Sequence, residues 1–258
     1  MGRISIRFYQ ELNDFLPPDR KKTRFETGFP PGCTVKALVE DLGVPHTEVD
    51  LILADGRSVG FSHRLGDGER LSVYPVFESW DISGLTRVRP RPLRSLSFVC
   101  DVHLGKLAGL LRLFGFDASY GNDLDDEELL ALSLHQGRIL LTRDRGLLKR
   151  RELTHGYCVR SARPKEQLQE VLRRFDCAGA ARPFSRCISC NTALERVEKS
   201  TVLDMLPPVV ASRYDVFSRC PACMRVFWRG THWERMNELA REVLGGVFPP
   251  QRSGCGPA

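Results

Sequence analysis

Residues 97–144 read SFVCDVHLGKLAGLLRLFGFDASYGNDLDDEELLALSLHQGRILLTRD. Ser97–Val102 is a short apolar strand. Leu104, Leu107, Ala108, Leu111 and Phe114 then recur at helical spacing and stop at Gly115. Phe116–Tyr120 reads as a second strand. Leu129, Leu130, Leu132 and Leu134 mark a second helix ending at Gly137, and Ile139–Thr142 is a third strand. Downstream, Tyr157-Cys158-Val159 supplies a fourth strand, and Pro164 opens a helix over about Lys165–Phe175. Strand and helix in regular alternation predict an α/β layer built on a parallel sheet.

In such a sheet the carboxyl ends of the strands share one edge, where ligands bind. Three acidic positions fall there. Asp101 ends the first strand, Asp123, Asp125 and Asp126 follow the second, and Asp144 follows the third. Carboxylates gathered together repel one another unless a cation lies between them, and a set of hard oxygen ligands suits Mg²⁺ or Mn²⁺. One or two such ions can activate water and hold a phosphodiester in line. Lys106, Arg143, Arg145 and Lys149, with Arg150 and Arg151, place cations for phosphate beside the acids. Each acid also has a structural reading. Asp123 or Asp125 can cap the helix that follows, where Asp126, Glu127 and Glu128 also favour the helix start. Asp144, before Arg145-Gly146, can be a turn residue. His103 reads as a helix-entry residue, with general base as the alternative.

Upstream, Ile4, Ile6 and Phe8 alternate with polar residues, as in a half-buried strand. A second strand is expected near Arg24–Phe29. Thr34 is placed to cap a helix carrying Val35, Leu38, Val39 and Leu42. Further strands are expected at Val49–Ala54 and Leu71–Val76, with turns at Asp55-Gly56 and Asp67-Gly68. The order β-β-α-β-β over residues 1–80 resembles the ubiquitin-like β-grasp fold of small sulfur carriers. Those carriers act through a free C-terminal Gly-Gly. Here Gly245-Gly246 is followed by more chain, so docking or architecture is the expected role. Residues 81–95, with Arg87, Arg89, Pro90, Arg91, Pro92 and Arg94, read as a basic linker.

Downstream, Cys187-Ile188-Ser189-Cys190 and Cys220-Pro221-Ala222-Cys223 are two knuckles that can offer four thiolates to one tetrahedral zinc. Four thiolates leave no position for water, so the metal is structural. The 29 residues between the pairs exceed the ~15–20 of a compact ribbon, and residues 195–215 are read as an inserted excursion. Thr231 and Glu234 have capping-box spacing for a final helix through Val243-Leu244. Trp228, Arg229, His232 and Trp233 fit two roles equally: stacking bases and meeting phosphate, or packing the ribbon onto its neighbour.

The 258 residues suffice for two or three domains. Nine cysteines, four of them paired as C-x-x-C, point to metal in a reducing compartment. The isolated Cys33, Cys100, Cys158, Cys177 and Cys255 are read as small apolar residues. No apolar run approaches the ~20 residues of a membrane span, and the first ten residues lack a signal-peptide core. A cytoplasmic protein with no membrane partner is expected. The chain carries +6 overall with a slightly acidic first third, so the positive excess lies in the last two thirds, as expected if phosphates are handled there.

The runs Phe98–Ala108, Leu111–Asp117, Asn122–Leu129 and Gly137–Asp144 resemble, motif by motif, the Mut-seven C-terminal ribonuclease family. That resemblance implies a ubiquitin-like β-grasp domain over 1–80, a linker over 81–95, a PIN-like ribonuclease domain over 96–176, and over 177–258 a four-cysteine zinc ribbon with a C-terminal helix and tail. It implies Asp101, Asp126 and Asp144 as catalytic, metal-binding carboxylates, with Asp123 next, and Lys106 as a basic contact of the first helix. Gly109 departs from the family pattern, which usually has arginine there. The implied activity is divalent-metal-dependent hydrolysis of RNA, with structural zinc, catalytic Mg²⁺ or Mn²⁺, and a protein partner for the ubiquitin-like domain. The alternative is a non-catalytic RNA-binding or adaptor protein. DNA also stays open as a substrate, because nothing in the sequence reads a 2′-hydroxyl.

Overall fold

The computed structural model describes residues 1–75, 87–88 and 96–245. Most of the expected linker lies outside the described residues, as do Val76, Gly246 and Cys255. By compactness the chain divides into two units. The first comprises residues 1–105, 119–160 and 173–176; the second comprises 106–118, 161–172 and residues from 177 onward. Among the described residues no helix is long and apolar enough to cross a membrane.

The N-terminal half of the first unit is a five-stranded mixed sheet with one helix. Its elements are β1 (Gly2–Phe8), β2 (Arg24–Phe29), α1 (Val35–Asp41), β3 (Leu51–Ala54), β4 (Arg57–Val59) and β5 (Arg70–Tyr74). The strand order is β2-β1-β5-β3-β4, with β1 and β5 parallel and the remaining pairs antiparallel. This is the β-grasp arrangement. Ile4, Ile6 and Phe8 point inward as their alternation requires, and meet Val35, Leu38 and Val39 of α1 in one core. Thr34 caps α1 through Oγ1, which accepts from the Ala37 amide at 3.3 Å.

Two details differ from the sequence reading. Residues 46–48 form a 3-10 turn, so β3 starts at Leu51 rather than Val49. β4 is an addition to the expected strands, because three residues carry too short a pattern to announce one. It pairs with β3 across Asp55 (φ 46°) and Gly56 (φ 81°), and two consecutive positive φ values are what a tight two-residue hairpin demands.

The chain then alternates strand and helix: β6 (Ser97–Cys100), α2 (Gly105–Leu113), β7 (Asp117–Ser119), α3 (Asp126–Gln136), β8 (Ile139–Thr142), α4 (Arg145–Leu148), β9 (Gly156–Cys158) and α5 (Pro164–Arg174). The sheet order is β7-β6-β8-β9, and β6/β8 and β8/β9 are parallel. All four residues of β8 are buried, which is why it reads as an unbroken apolar run. Gly137 (φ 64°) ends α3 in the left-handed region that glycine enters without strain. The one-turn α4 is a further addition; it forms because Asp144 caps it.

Within the first unit the β-grasp core runs on without a break into the parallel sheet, through Val99, Leu140, Leu147, Leu148 and Leu153. Polar contacts lock the junction. Glu48, fully buried, accepts from the Cys158 amide at 2.5 Å and from Arg160 at 3.3 Å. His46 meets Glu40 Oε1 at 2.6 Å and the Leu153 carbonyl at 2.8 Å. Burial raises the Glu48 carboxyl pKa, while the guanidiniums of Arg174 and Arg160 and the Cys158 amide act the other way.

In the second unit β10 (Glu195–Val197), β11 (Phe217–Arg219) and β12 (Val226–Trp228) form an antiparallel sheet in that order. The excursion between the cysteine pairs holds β10, two 3-10 turns and α6 (Pro208–Arg213). It has its own small core of Val202, Leu206 and Phe217. The final helix, α7, spans Thr231–Val243, and here the expected capping box is corrected. Gly230 is the N-cap, with no side-chain cap bond, and Thr231 already lies inside the helix. The Gly230 carbonyl already accepts from the Glu234 amide at 3.0 Å, which starts the helix one residue earlier, and a Cβ at Gly230 would stand 2.9 Å from the Trp228 indole nitrogen. A residue with a capping side chain therefore does not fit at that position.

Glu48→Ala leaves Arg160 and the Cys158 amide without their buried acceptor. It should cost about 3–5 kcal/mol in urea unfolding of the first unit; a loss under about 1 kcal/mol would mean the junction rests on apolar contact alone.

Candidate active site and metal centre

Parallel pairing aligns Cys100 with Leu141. Asp101 and Asp144 therefore both leave the sheet at the carboxyl ends of adjacent strands. Asp101 is only 6% exposed. Its Oδ2 accepts from Thr142 Oγ1 at 2.5 Å, and its Oδ1 from the His103 amide at 3.1 Å. The same Thr142 hydroxyl accepts from the Asp144 amide at 2.9 Å. One buried hydroxyl thus joins the first acid to the backbone of the third. Thr142 is a site residue that the sequence reading misses, although a threonine closing an otherwise apolar strand is a visible signal.

Asp144 is exposed. Its Oδ1 accepts from the Gly146 amide at 2.6 Å and the Leu147 amide at 3.4 Å, so it caps α4. Its Oδ2 has no hydrogen-bond partner among the described residues. The helix α3 packs on β6 and β8. Because α3 ends at Gly137, just before β8 begins, its first turn stands at the opposite, carboxyl edge of the sheet. The structure separates the acids there. Asp125 is the cap: its Oδ1 accepts from the Glu128 amide at 2.9 Å, and Glu128 Oε2 accepts from the Asp125 amide at 3.0 Å. Asp123 and Asp126 are exposed and have no such bond. His103 is exposed at the turn that enters α2, and its amide serves Asp101.

The cations divide as well. Arg143 is exposed beside Asp144, and Lys106 is exposed on α2. Arg145 lies over the Phe15 ring at 5.0 Å. Arg160 lies over the same ring at 5.0 Å and over Tyr157 at 5.2 Å. A ring of the β-grasp domain therefore carries two guanidiniums of the nuclease-like domain, a contribution that no sequence pattern announces. Lys149 is committed elsewhere: its ammonium donates to the Glu40 carbonyl at 2.7 Å, fastening α1 to α4. Arg150 pairs with Glu127 at 2.6 Å.

Cys187, Cys190, Cys220 and Cys223 bring their sulfurs within 4.8 Å of one another. Among the described residues they are the one group of three or more metal-ligating side chains gathered so closely. The Cys187–Cys223 and Cys190–Cys220 separations are 3.6 and 3.3 Å. A tetrahedral zinc with bonds of ~2.3 Å to sulfur has sulfurs about 3.8 Å apart, so the group is of the right size. The two knuckles repeat each other. The Cys187 amide donates to Thr192 and the Cys220 amide to Arg225, and each knuckle closes with a left-handed residue, Asn191 (φ 67°) or Met224 (φ 59°). Burial pushes the Cys187 thiol up to about 11, whereas hydrogen bonds from Thr192 bring Cys190 down to about 6. Asn191 also donates to Asp117 at 2.7 Å, and Arg112 donates to the Ser189 carbonyl at 2.8 Å, tying the first knuckle to α2 and β7 within the second unit. The remaining described cysteines, Cys33, Cys100, Cys158 and Cys177, form no disulfide, and the last three are buried.

Comparison with known families gives a match to the Mut7-C RNAse domain over residues 96–240, more than half of the chain. The chain belongs to the Mut7-C RNase family. Residues 1–81 match the Mut7-C ubiquitin domain. The chain is also 35% identical over 106 residues to the human exonuclease mut-7 homolog. That stretch is 39% of this chain and 12% of the human protein, so the two share a domain rather than a whole architecture. A solved structure similar to the N-terminal part is small archaeal modifier protein 1 of H. volcanii, at 11% identity and a TM-score of 0.25, covering 30% of this chain and all of that one. As a Mut7-C protein, the chain combines a PIN-like parallel-sheet domain, a four-cysteine ribbon able to bind a metal such as zinc, and a ubiquitin-like β-grasp domain.

Thr142→Val keeps the shape of β8 but removes the shared hydroxyl. It should destabilise the first unit by about 1–3 kcal/mol in chemical denaturation, and a neutral change would show that the bridge carries no weight.

Proposed function

We propose that this Mut7-C protein is a divalent-metal-dependent ribonuclease, with Asp101, Asp126 and Asp144 as the metal-binding carboxylates and Asp123 beside them. The observation that carries the reading is the Thr142 bridge, which ties Asp101 to the start of the Asp144 turn at adjacent strand ends. Further support comes from Asp125: it is spent on capping α3, while Asp123, Asp126 and Asp144 Oδ2 keep oxygens without protein partners among the described residues. These are hard oxygen donors, a set that fits Mg²⁺ or Mn²⁺. When bound, such an ion would lower the pKa of a water and neutralise charge on the phosphodiester.

The chain's own groups do the rest. Thr142 and the His103 amide fix the orientation of Asp101. Arg143 and Arg145, beside Asp144, hold the phosphate backbone by charge. Lys149 contributes through architecture, by anchoring the two domains. The four-cysteine centre is assigned to zinc. With all four positions taken by thiolates it holds the ribbon together and offers no site for a reacting water. The Phe15 contacts favour an architectural role for the β-grasp domain over service as a detachable tag. An RNA substrate follows from the family, and cytoplasmic placement stays with this proposal.

Asp144→Asn keeps the volume and the cap acceptor but removes a charged ligand. It should lower cleavage of labelled RNA in Mg²⁺ or Mn²⁺ by at least about a hundredfold while RNA binding is kept or tightened. Undiminished cleavage would refute the assignment of Asp144.

A further inference from the structure

The second unit contains a cavity of about 410 Å³ that the carboxylate site does not use. This lies within the ~300–1,000 Å³ typical of small-ligand sites. Its wall is aromatic, with Phe184, Phe227, Trp228 and Trp233, and Arg229 and His232 stand among them. No carboxylate lines it. The Arg229 guanidinium lies over the Trp233 ring at 5.3 Å, and Phe184 meets the same indole at 5.1 Å. The Arg229 guanidinium and the Phe184 ring, tilted by 36°, thus both engage Trp233.

Two features are not explained by packing alone. Phe184 is held at φ 62°, a left-handed conformation that is rare for a bulky side chain and is met where a structure fixes a ligand-facing group. Its amide is tied down by the Leu113 carbonyl at 2.8 Å. The Trp228 indole N–H has no protein acceptor among the described residues, and on this partly buried residue it stands open to solvent or a ligand. Gly230 keeps the space beside that nitrogen clear, since any side chain there would collide with it.

We infer that this cavity of the ribbon binds an unpaired nucleobase of single-stranded RNA, stacked against Trp228, with Arg229 and His232 meeting the adjoining phosphate. Every base has a flat π-face, so stacking of this kind is tolerant of sequence. The absence of carboxylates and the presence of the Arg186 and Arg229 guanidiniums in the lining match a polyanion and disfavour a basic peptide. The Trp228 N–H supplies a donor for a base acceptor. The inference rests on the nuclease reading only in choosing RNA among polyanions. It adds a holding site separate from the acids, one that prefers unpaired strands because a base inside a duplex cannot reach a cavity.

The test uses the full-length, zinc-loaded protein without added Mg²⁺ or Mn²⁺, so that binding is read apart from cleavage. Two of the three tryptophans line the cavity. A short single-stranded RNA should therefore quench the intrinsic fluorescence, and a blunt duplex of the same sequence should not. Trp228→Leu should weaken single-strand binding roughly ten-fold, and Arg229→Gln and His232→Ala together should do the same. The latter pair is exposed and serves if Trp228→Leu loses its zinc or fails to fold. Asp144→Asn should bind like the wild type or more tightly. No quenching by single-stranded RNA, undiminished binding by the folded variants, or quenching by an apolar peptide and not by RNA would each overturn the inference. Quenching without cleavage under any metal would remove the nuclease reading and leave the base site standing. Cleavage with unchanged binding by the variants would remove the base site alone.

Discussion

Parallel pairing of β6 with β8 is the constraint on which the rest depends. It places residues 43 positions apart in sequence, Asp101 and Asp144, at the ends of neighbouring strands. Thr142 then turns proximity into a defined arrangement, because its hydroxyl donates to the Asp101 carboxylate and accepts from the Asp144 amide. A buried carboxylate that accepts two hydrogen bonds is held in one orientation. Asp144 is free to present its second oxygen because its first is fixed by the α4 cap. The acid edge is therefore a rigid first member beside more exposed ones, and not four equivalent side chains.

The β-grasp domain is part of this arrangement. Its core is continuous with that of the nuclease-like sheet, and Glu48 and His46 fill polar positions across the junction. The Phe15 ring carries Arg145 and Arg160, so an aromatic residue from the first fifteen positions sets two guanidiniums of the following domain. A domain docked in this way is a poor candidate for a tag that is activated and transferred. Undocking would expose to water the apolar core that the two domains share.

Much of this is legible in the sequence. The alternation of strand and helix, the glycine stop at Gly137, the Thr34 cap and the two cysteine knuckles each follow from local chemistry that a short window contains. The acids at strand ends are legible too, but which of Asp123, Asp125 and Asp126 is the cap depends on one turn's geometry. What escapes is non-local or brief. β4 is three residues long, α4 is a single turn, and Gly230 displaces Thr231 as N-cap because its carbonyl takes the Glu234 amide. The commitment of Lys149 to a carbonyl 109 residues away leaves no trace in any window.

The account's central claim is that the carboxyl edge of the parallel sheet cleaves RNA with a divalent metal. The most direct measurement is cleavage of a mixed pool of labelled single-stranded and structured RNAs, with Mg²⁺ or Mn²⁺ and with each withheld, comparing the wild type with Asp101→Asn. The account predicts metal-dependent cleavage by the wild type and its loss in the variant. RNA bound by both proteins and cut by neither, under any metal, would contradict it and favour an adaptor built on the same fold.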